Sequence, residues 1–372
     1  MSYKEKFVGR RHRRFARPKT RPSWYRVCAW LAVAAIPTGA LAQGPSRDAA
    51  DTQPGTGPTK TVSIGCSPGS VFADHEWPAG IMAARDVFRE VADRMDRDPA
   101  YTFAQSGAAI YAAVERLDPV LFERIKTRVK EGRWEIVGGR WAAVDPNLIS
   151  AESNAHQFLY GQRYFRDRFG KRATVGWGPP GVGQLATMPE LLAGAGMERF
   201  LAATSTGESA PVFHWDGINS SRTLTVDASP RWSRPNPIDA DGLAAFLRRS
   251  GVDALLRLVD VSADARARSL DDDAVKWGTL TGYFDDIGAR DLSSAPGRRG
   301  ELKGVLAGSY SLHSDMKLWN HGAETALVSA EALASIATLE GYPYPVAELR
   351  RLWRGVLEMQ INRTVTDSSA RT

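Results

Sequence analysis

Hydrophobic and polar positions recur along this chain at two periods, and the switches between them mark out its elements. A short apolar run at 61–65 predicts a first buried strand. Ile81, Val87, Phe88, Val91 and Met95 then recur at helical spacing, predicting a helix over about 79–95. Further strands are expected at 101–103, 134–139, 174–177 and 254–259, with helices at 108–115, 119–131, 151–169, 187–195, 242–250 and 281–287. Leu121, Ile125 and Val129 share one face of the helix at 119–131, which Gly132 stops, and Gly170 ends the helix at 151–169. Residues 213–224 predict a hairpin about an Asp-Gly or Asn-Ser turn. Two long amphipathic helices, at about 313–339 and 344–360, are joined by Gly341-Tyr342-Pro343, a connection short enough to pack them antiparallel as part of a small helical bundle. The fold class expected is α/β. Strands that alternate with helices imply a parallel sheet with covering helices, so a ligand belongs at the carboxyl ends of the strands.

Composition narrows the picture. With 372 residues, 43% hydrophobic and 24% charged, the chain can bury one large core and a smaller one, which excludes a disordered or fibrous protein. A formal charge of +6 invites a nucleic-acid partner, but residues 1–42 hold ten Lys and Arg against Glu5 alone, a net of +9 that leaves −3 for the remainder. No nucleic acid is therefore expected as a partner. The same segment reads as an export signal: a cationic start, an apolar run at 27–36 and the small-residue site Ala40-Leu41-Ala42 before Gln43. Cleavage after Ala42 would deliver a periplasmic or secreted protein, with no membrane association afterwards, because the apolar run falls short of the roughly 20 residues that span a bilayer. Residues 43–60 read as a flexible spacer. Cys28 lies in the signal, so Cys66 has no internal partner and the fold must hold by its core.

The candidate chemistry gathers in 131–200. This stretch opens Glu131-Gly132-Arg133-Trp134 and continues through Gly138-Gly139-Arg140-Trp141, Asp145, Asn147 and Glu152-Ser153. Gln157-Phe158-Leu159-Tyr160-Gly161-Gln162 and Gly176-Trp177-Gly178-Pro179-Pro180-Gly181-Val182-Gly183 follow. Trp, Gly and polar residues packed around short apolar runs suit strand ends that open on a carbohydrate-sized cleft, since aromatic faces stack on sugar rings and Gly lets backbone approach a ligand. The glycines at 178–183 lack the Lys of a phosphate loop.

This ordered series resembles the catalytic domain of the family 38 glycoside hydrolases, the retaining α-mannosidases. The resemblance runs over about 61–369 and takes in Tyr283-Phe284, Glu301-Leu302-Lys303, Gly308-Ser309-Tyr310-Ser311 and 360–369. It implies a distorted seven-stranded β/α barrel-like domain, here 61–290, followed by a small helical bundle, here 291–372. Retaining hydrolysis needs a carboxylate nucleophile and a carboxylic acid about 5 Å apart, and the family adds a divalent metal, usually zinc. Its metal ligands stand on a His-x-Asp pair near the first strand, on the nucleophilic Asp and on a late His; here those positions hold Phe72 and Asp74, Pro180 and Asn362.

The resemblance thus implies an exported α-mannosidase-like protein whose catalysis is impaired, with no cofactor unless substitute ligands hold zinc. It would keep mannose-containing glycans as partners through Trp77 and Asp74, with Asp74 the one metal ligand left and Asp260 or Asp264 the candidate acid. Two alternatives stay open: an active glycosidase with carboxylates relocated to Asp145, Asp260 or Glu152, and a structural remnant that binds nothing. His75, His156 and His214 lack metal spacing of their own, and His156 suits helix packing better than ligation. Apolar surface left uncovered would favour self-association.

Overall fold

The computed structural model describes residues 60–66, 79–178, 182–202, 212–227, 254–260, 275–293, 295–304 and 310–361. The expected helix at 242–250 lies outside them. The fold is a mixture of helices and sheets in which strand and helix alternate through the first half. β1 (Lys60–Cys66) is followed by α1 (Ala79–Arg97), β2 (Phe103–Ser106), α2 (Ala108–Leu117), α3 (Pro119–Lys130), β3 (Trp134–Val137), α4 (Ala151–Phe169), β4 (Val175–Trp177), α5 (Met188–Gly194) and β5 (Arg199–Ala202). A hairpin, β6 (Val212–Asp216) and β7 (Arg222–Asp227), follows as predicted, with Asp216 paired to Arg222 across it. Then come β8 (Ala254–Asp260), β9 (Val275–Trp277), α6 (Leu280–Gly288), β10 (Gly297–Arg299), α7 (Ser314–Leu339) and α8 (Val346–Met359).

Two five-stranded sheets result. One runs β3-β2-β1-β8 with β9 also on β1, all parallel. The other runs β10-β6-β7-β5-β4, parallel except for the hairpin. They meet edge to edge where the Gly138 N–H donates to the Val175 carbonyl at 2.8 Å.

The period-two alternation of the strands divides the core in two. Phe103, Trp134, Ile136, Phe200 and Ala202 pack into a larger cluster with the helices. Their alternates Ala104, Val137, Leu201, with Val175 and Trp177, pack into a smaller cluster with Leu280, Tyr283, Phe284 and Ile287 of α6. Trp134 centres the larger one, its ring 4.7 Å from Phe103 and 5.1 Å from Phe88. Its indole N–H donates to the Tyr111 hydroxyl at 2.9 Å, which donates in turn to the Gln105 carbonyl at 3.2 Å. The polar handles of these buried rings are thereby satisfied.

Differences from the sequence expectation have local causes. The strand expected at 134–139 stops at Val137, because Gly138 and Gly139 take φ of 81° and 67° and turn the chain out of the sheet. The strand expected at 101–103 begins at Phe103 and runs to Ser106, with the buried Gln105 inside it. Strands β5, β9 and β10 were not foreseen; each has three or four residues, too few for a periodic signal. Among the described residues, no helix is long and apolar enough to cross a membrane.

Candidate functional site

The parallel strands align their carboxyl ends at Cys66, Ser106, Val137, Trp177 and Asp260, with Cys66 in register with Ala104 and Asp260, and Ser106 with Val137. Asp260 therefore stands at the edge where a ligand belongs. The best-defined polar constellation at this edge is built on the loop that leaves β3.

Gly138 and Gly139 start that loop, and neither has room for a side chain: a Cβ on Gly138 would lie 2.9 Å from the Ser106 Cβ, and one on Gly139 2.9 Å from the Met197 Cε. The carbonyls of Arg140 and Trp141 then accept from the N–H groups of Ala108 and Ala109 at 3.1 and 2.8 Å, satisfying donors at the start of α2. Helix α4 braces the loop from the other side. The Trp141 N–H donates to the Gln157 carbonyl at 2.7 Å and the Ala142 N–H to Gln157 Oε1 at 2.9 Å. Gln157 Nε2 donates to the Leu357 carbonyl at 3.1 Å and to Gln360 Oε1 at 3.2 Å. Gln360 Nε2 reaches Glu324 Oε1 at 2.9 Å and Ser153 Oγ at 3.0 Å. This buried network carries the loop to an isolated antiparallel bridge between Val144 and Ile361, beside Asp145.

Asp145 is 2% exposed. Its Oδ1 accepts from the Asn147 N–H and from Asn147 Nδ2, both at 3.0 Å, while Oδ2 has no partner in good hydrogen-bond geometry. Burial pushes the carboxyl above its ordinary range, against the bonds from Asn147 and weaker pulls from Tyr310 and Arg140. None of these neighbours is a carboxylate. Asn147 Nδ2 also donates to the Tyr310 hydroxyl at 3.2 Å, and burial with the nearby Asp145 charge pushes that phenol up to about 12. Gly183 packs on the same group, since a Cβ there would lie 3.0 Å from Asn147 Nδ2. Gln184 pairs with Leu302 through two backbone bonds of 2.7 and 3.0 Å, which brings the segment after the Gly-Pro-rich turn against the segment before Tyr310.

Arg140 lies behind this group, 4% exposed. Its Nη2 contacts Met188 Sδ at 3.0 Å and Gln184 Oε1 at 3.4 Å, its guanidinium sits 5.0 Å above the Phe158 ring, and Nη1 has no partner. Burial lowers its pKa to about 10, and the Asp145 charge pulls the other way. Gln105 Oε1, at the end of β2, is likewise buried and unpartnered. Buried donors and acceptors without partners thus gather near the strand ends.

Other sequence candidates fall elsewhere. Glu152 sits in the first turn of α4 with its side chain 53% exposed and 3.2 Å from His156 Nδ1. His156 is a packing residue, stacked on Trp353 at 3.9 Å, and His214 lies on β6 with Nδ1 buried and unpartnered. Phe72, Asp74, His75, Trp77, Pro180, Asp264 and Asn362 lie outside the described residues. Sequence reasoning passed over Arg140, Gln184 and Tyr310 as site residues; the signal available was the Gly-Gly turn ahead of Arg140 and the two-residue spacing of Asp145 and Asn147.

The family model described as the glycosyl hydrolases family 38 N-terminal domain matches residues 79–294. The chain belongs to glycoside hydrolase family 38. Alpha-mannosidase G of Dictyostelium discoideum is 38% identical over 307 residues, covering 74% of this chain and 27% of its own length. Alpha-mannosidase 2C1 of Homo sapiens is 28% identical over 314 residues, with 74% and 29% covered. The crystal structure of an alpha-mannosidase from Enterococcus faecalis V583 shares the fold, with a TM-score of 0.68, 20% identity, and coverage of 82% of this chain and 39% of that one. The chain thus spans less than a third of the length of these curated relatives.

The positions that the resemblance implies for the family's metal, Phe72, Asp74, Pro180 and Asn362, lie outside the described residues; among the described residues, no three His, Cys, Asp or Glu side chains gather closely enough to hold a metal ion.

Proposed function

We propose that this protein is an exported family 38 homologue that has lost zinc-dependent hydrolysis and binds mannose-containing glycans in the cleft at the strand ends. The observation that carries the reading is Pro180, which stands where relatives place the carboxylate that is both nucleophile and metal ligand. A retaining mechanism has no first step without it. We read the two sheets, joined at β3 and β4, as the family's distorted seven-stranded β/α barrel over 61–290, and the long helices α7 and α8 as part of its helical bundle over 291–372. The binding half of the proposal rests on Asp145 and Arg140, each with one unmet polar atom, and on Asn147 and Tyr310 bonded beside them, near the edge where a sugar would sit, with Trp77 and Asp74 supplying the family's aromatic platform and diol contact.

Calorimetric titration of the chain with mannose and with an α-linked mannobiose tests the binding half. Saturable binding that weakens at least tenfold in Asp145→Ala is the expected result. No heat from either sugar would remove glycan binding and leave a structural remnant, and binding indifferent to Asp145→Ala would place the sugar elsewhere.

A further inference from the structure

A cavity of about 700 Å³ lies among α2, α4 and α8. It shares no residue with the constellation around Asp145. Six arginines line it: Arg116 of α2, Arg163, Arg166 and Arg168 of α4, and Arg350 and Arg354 of α8. Two are neutralised locally, Arg168 by Glu115 at 2.7 Å and Arg166 by its neighbour Asp167 at 3.0 Å. The other four make no ion pair among the described residues. Arg354 lies 4.6 Å over the Trp141 ring. Beyond the lining, Arg116 and Arg354 act at longer range on Glu358, whose carboxyl burial pushes up, and Glu331 acts on Tyr160.

Helix dipoles explain only part of this arrangement. Arg116, Arg166 and Arg168 stand in the last turns of α2 and α4, where a cation offsets the partial negative charge of the helix end. Arg163 stands within α4, and Arg350 in the second turn of α8, toward the end where a cation gains nothing from the dipole. Guanidiniums that converge on one cavity with fewer acids than cations around them repel one another, and a bound anion relieves that repulsion. Guanidinium forks match tetrahedral oxyanions two hydrogen bonds at a time. The cavity is much larger than one such anion, and Tyr160 and Tyr164 give it aromatic wall beside the arginines.

We propose that this cavity binds a small polyol carrying two or more phosphate or sulfate esters. The site is independent of the glycan cleft, so either reading can fail without the other. Inositol hexakisphosphate and sucrose octasulfate, titrated separately into the full chain by calorimetry at physiological salt, supply phosphate and sulfate versions of this chemistry, with inorganic phosphate as the single-anion comparison. At least one polyester should bind tenfold or more tighter than inorganic phosphate, and the tighter of the two identifies the ester. Arg163→Ala/Arg350→Ala should weaken that binding at least tenfold, whereas Arg85→Ala, which removes an ion-paired surface arginine outside the cavity, should leave it unchanged. All three side chains are on helix surfaces, and a melting midpoint close to that of the natural chain verifies that the variants fold. Polyesters that bind no tighter than inorganic phosphate, or binding that the double variant leaves intact, would overturn the proposal.

Discussion

Asp145 and Arg140 show how burying a charged group costs stability. Asp145 is held above its ordinary carboxyl range by burial. A carboxyl raised in this way holds its proton more tightly in the folded state, so ionising it costs stability; the cost is present above the folded value and gone below the ordinary value of about 3.9. Asp145→Asn keeps an oxygen for Asn147 and removes the charge. It should therefore stabilise the protein at pH 7 by on the order of 1 kcal/mol, with the advantage vanishing toward pH 3.5, as read from melting midpoints at the two pH values. A variant less stable than the natural chain at pH 7 would contradict this account. Little of the pairing was legible in the sequence. Asp145 could be picked out as a carboxylate in the motif-rich stretch, but an arginine after two glycines reads as a solvated turn residue, and only the contacts with Phe158, Met188 and Gln184 reveal it as buried. The helix-packing role of His156 was legible because its spacing matched no ligand set.

At the level of elements, helices were readable nearly to the residue, and the turns that seat them were not. The helix at 151–169 was expected with the bounds it has, since Ser150 caps its start and Gly170, at φ 70°, ends it. What the sequence does not display is that Gly161 in this helix touches the β3 loop directly: a Cβ there would lie 2.3 Å from the Gly139 carbonyl oxygen and 2.4 Å from the Arg140 carbonyl carbon. Both are backbone atoms that cannot swing aside. Gly161→Ala should thus destabilise by about 3 kcal/mol or more. Gly355 of α8 has open space around it, and Gly355→Ala should stabilise by about 0.5–1 kcal/mol. Urea unfolding of the pair separates these signs, and equal effects would show that α4 does not seat on the loop as described.

The cap on α6 was equally hidden. Glu135 of β3 accepts from the Leu280 and Thr281 N–H groups at 2.6 and 2.8 Å, across 145 and 146 residues of sequence. It points away from Trp134 and Ile136, into the smaller cluster. Glu135→Ala strands two helix N–H groups in a half-buried setting and should cost about 1–3 kcal/mol in the same urea experiment. Glu135 falls within the strand expected at 134–139, and no local pattern could assign it a partner so distant.

For the whole molecule, the family was legible before the fold, because a long ordered series of Trp, Gly and polar residues is more specific than any periodicity. The α/β class and the helix-strand alternation followed from the pattern; the division into two sheets that meet through Gly138 and Val175 did not, since it depends on two glycine φ values and one hydrogen bond. In the function we propose, the strand edge keeps hydroxyl-binding chemistry, while the positions that the resemblance implies for the family's metal centre hold one carboxylate, Asp74, and no nucleophile. The central claim is that zinc chemistry has gone and recognition remains. The most direct test is hydrolysis of an aryl α-mannoside by the purified chain, with added zinc and with a chelator, alongside its metal content. The account predicts no stoichiometric zinc and no turnover that the chelator abolishes; tightly held zinc with chelator-sensitive turnover would contradict it.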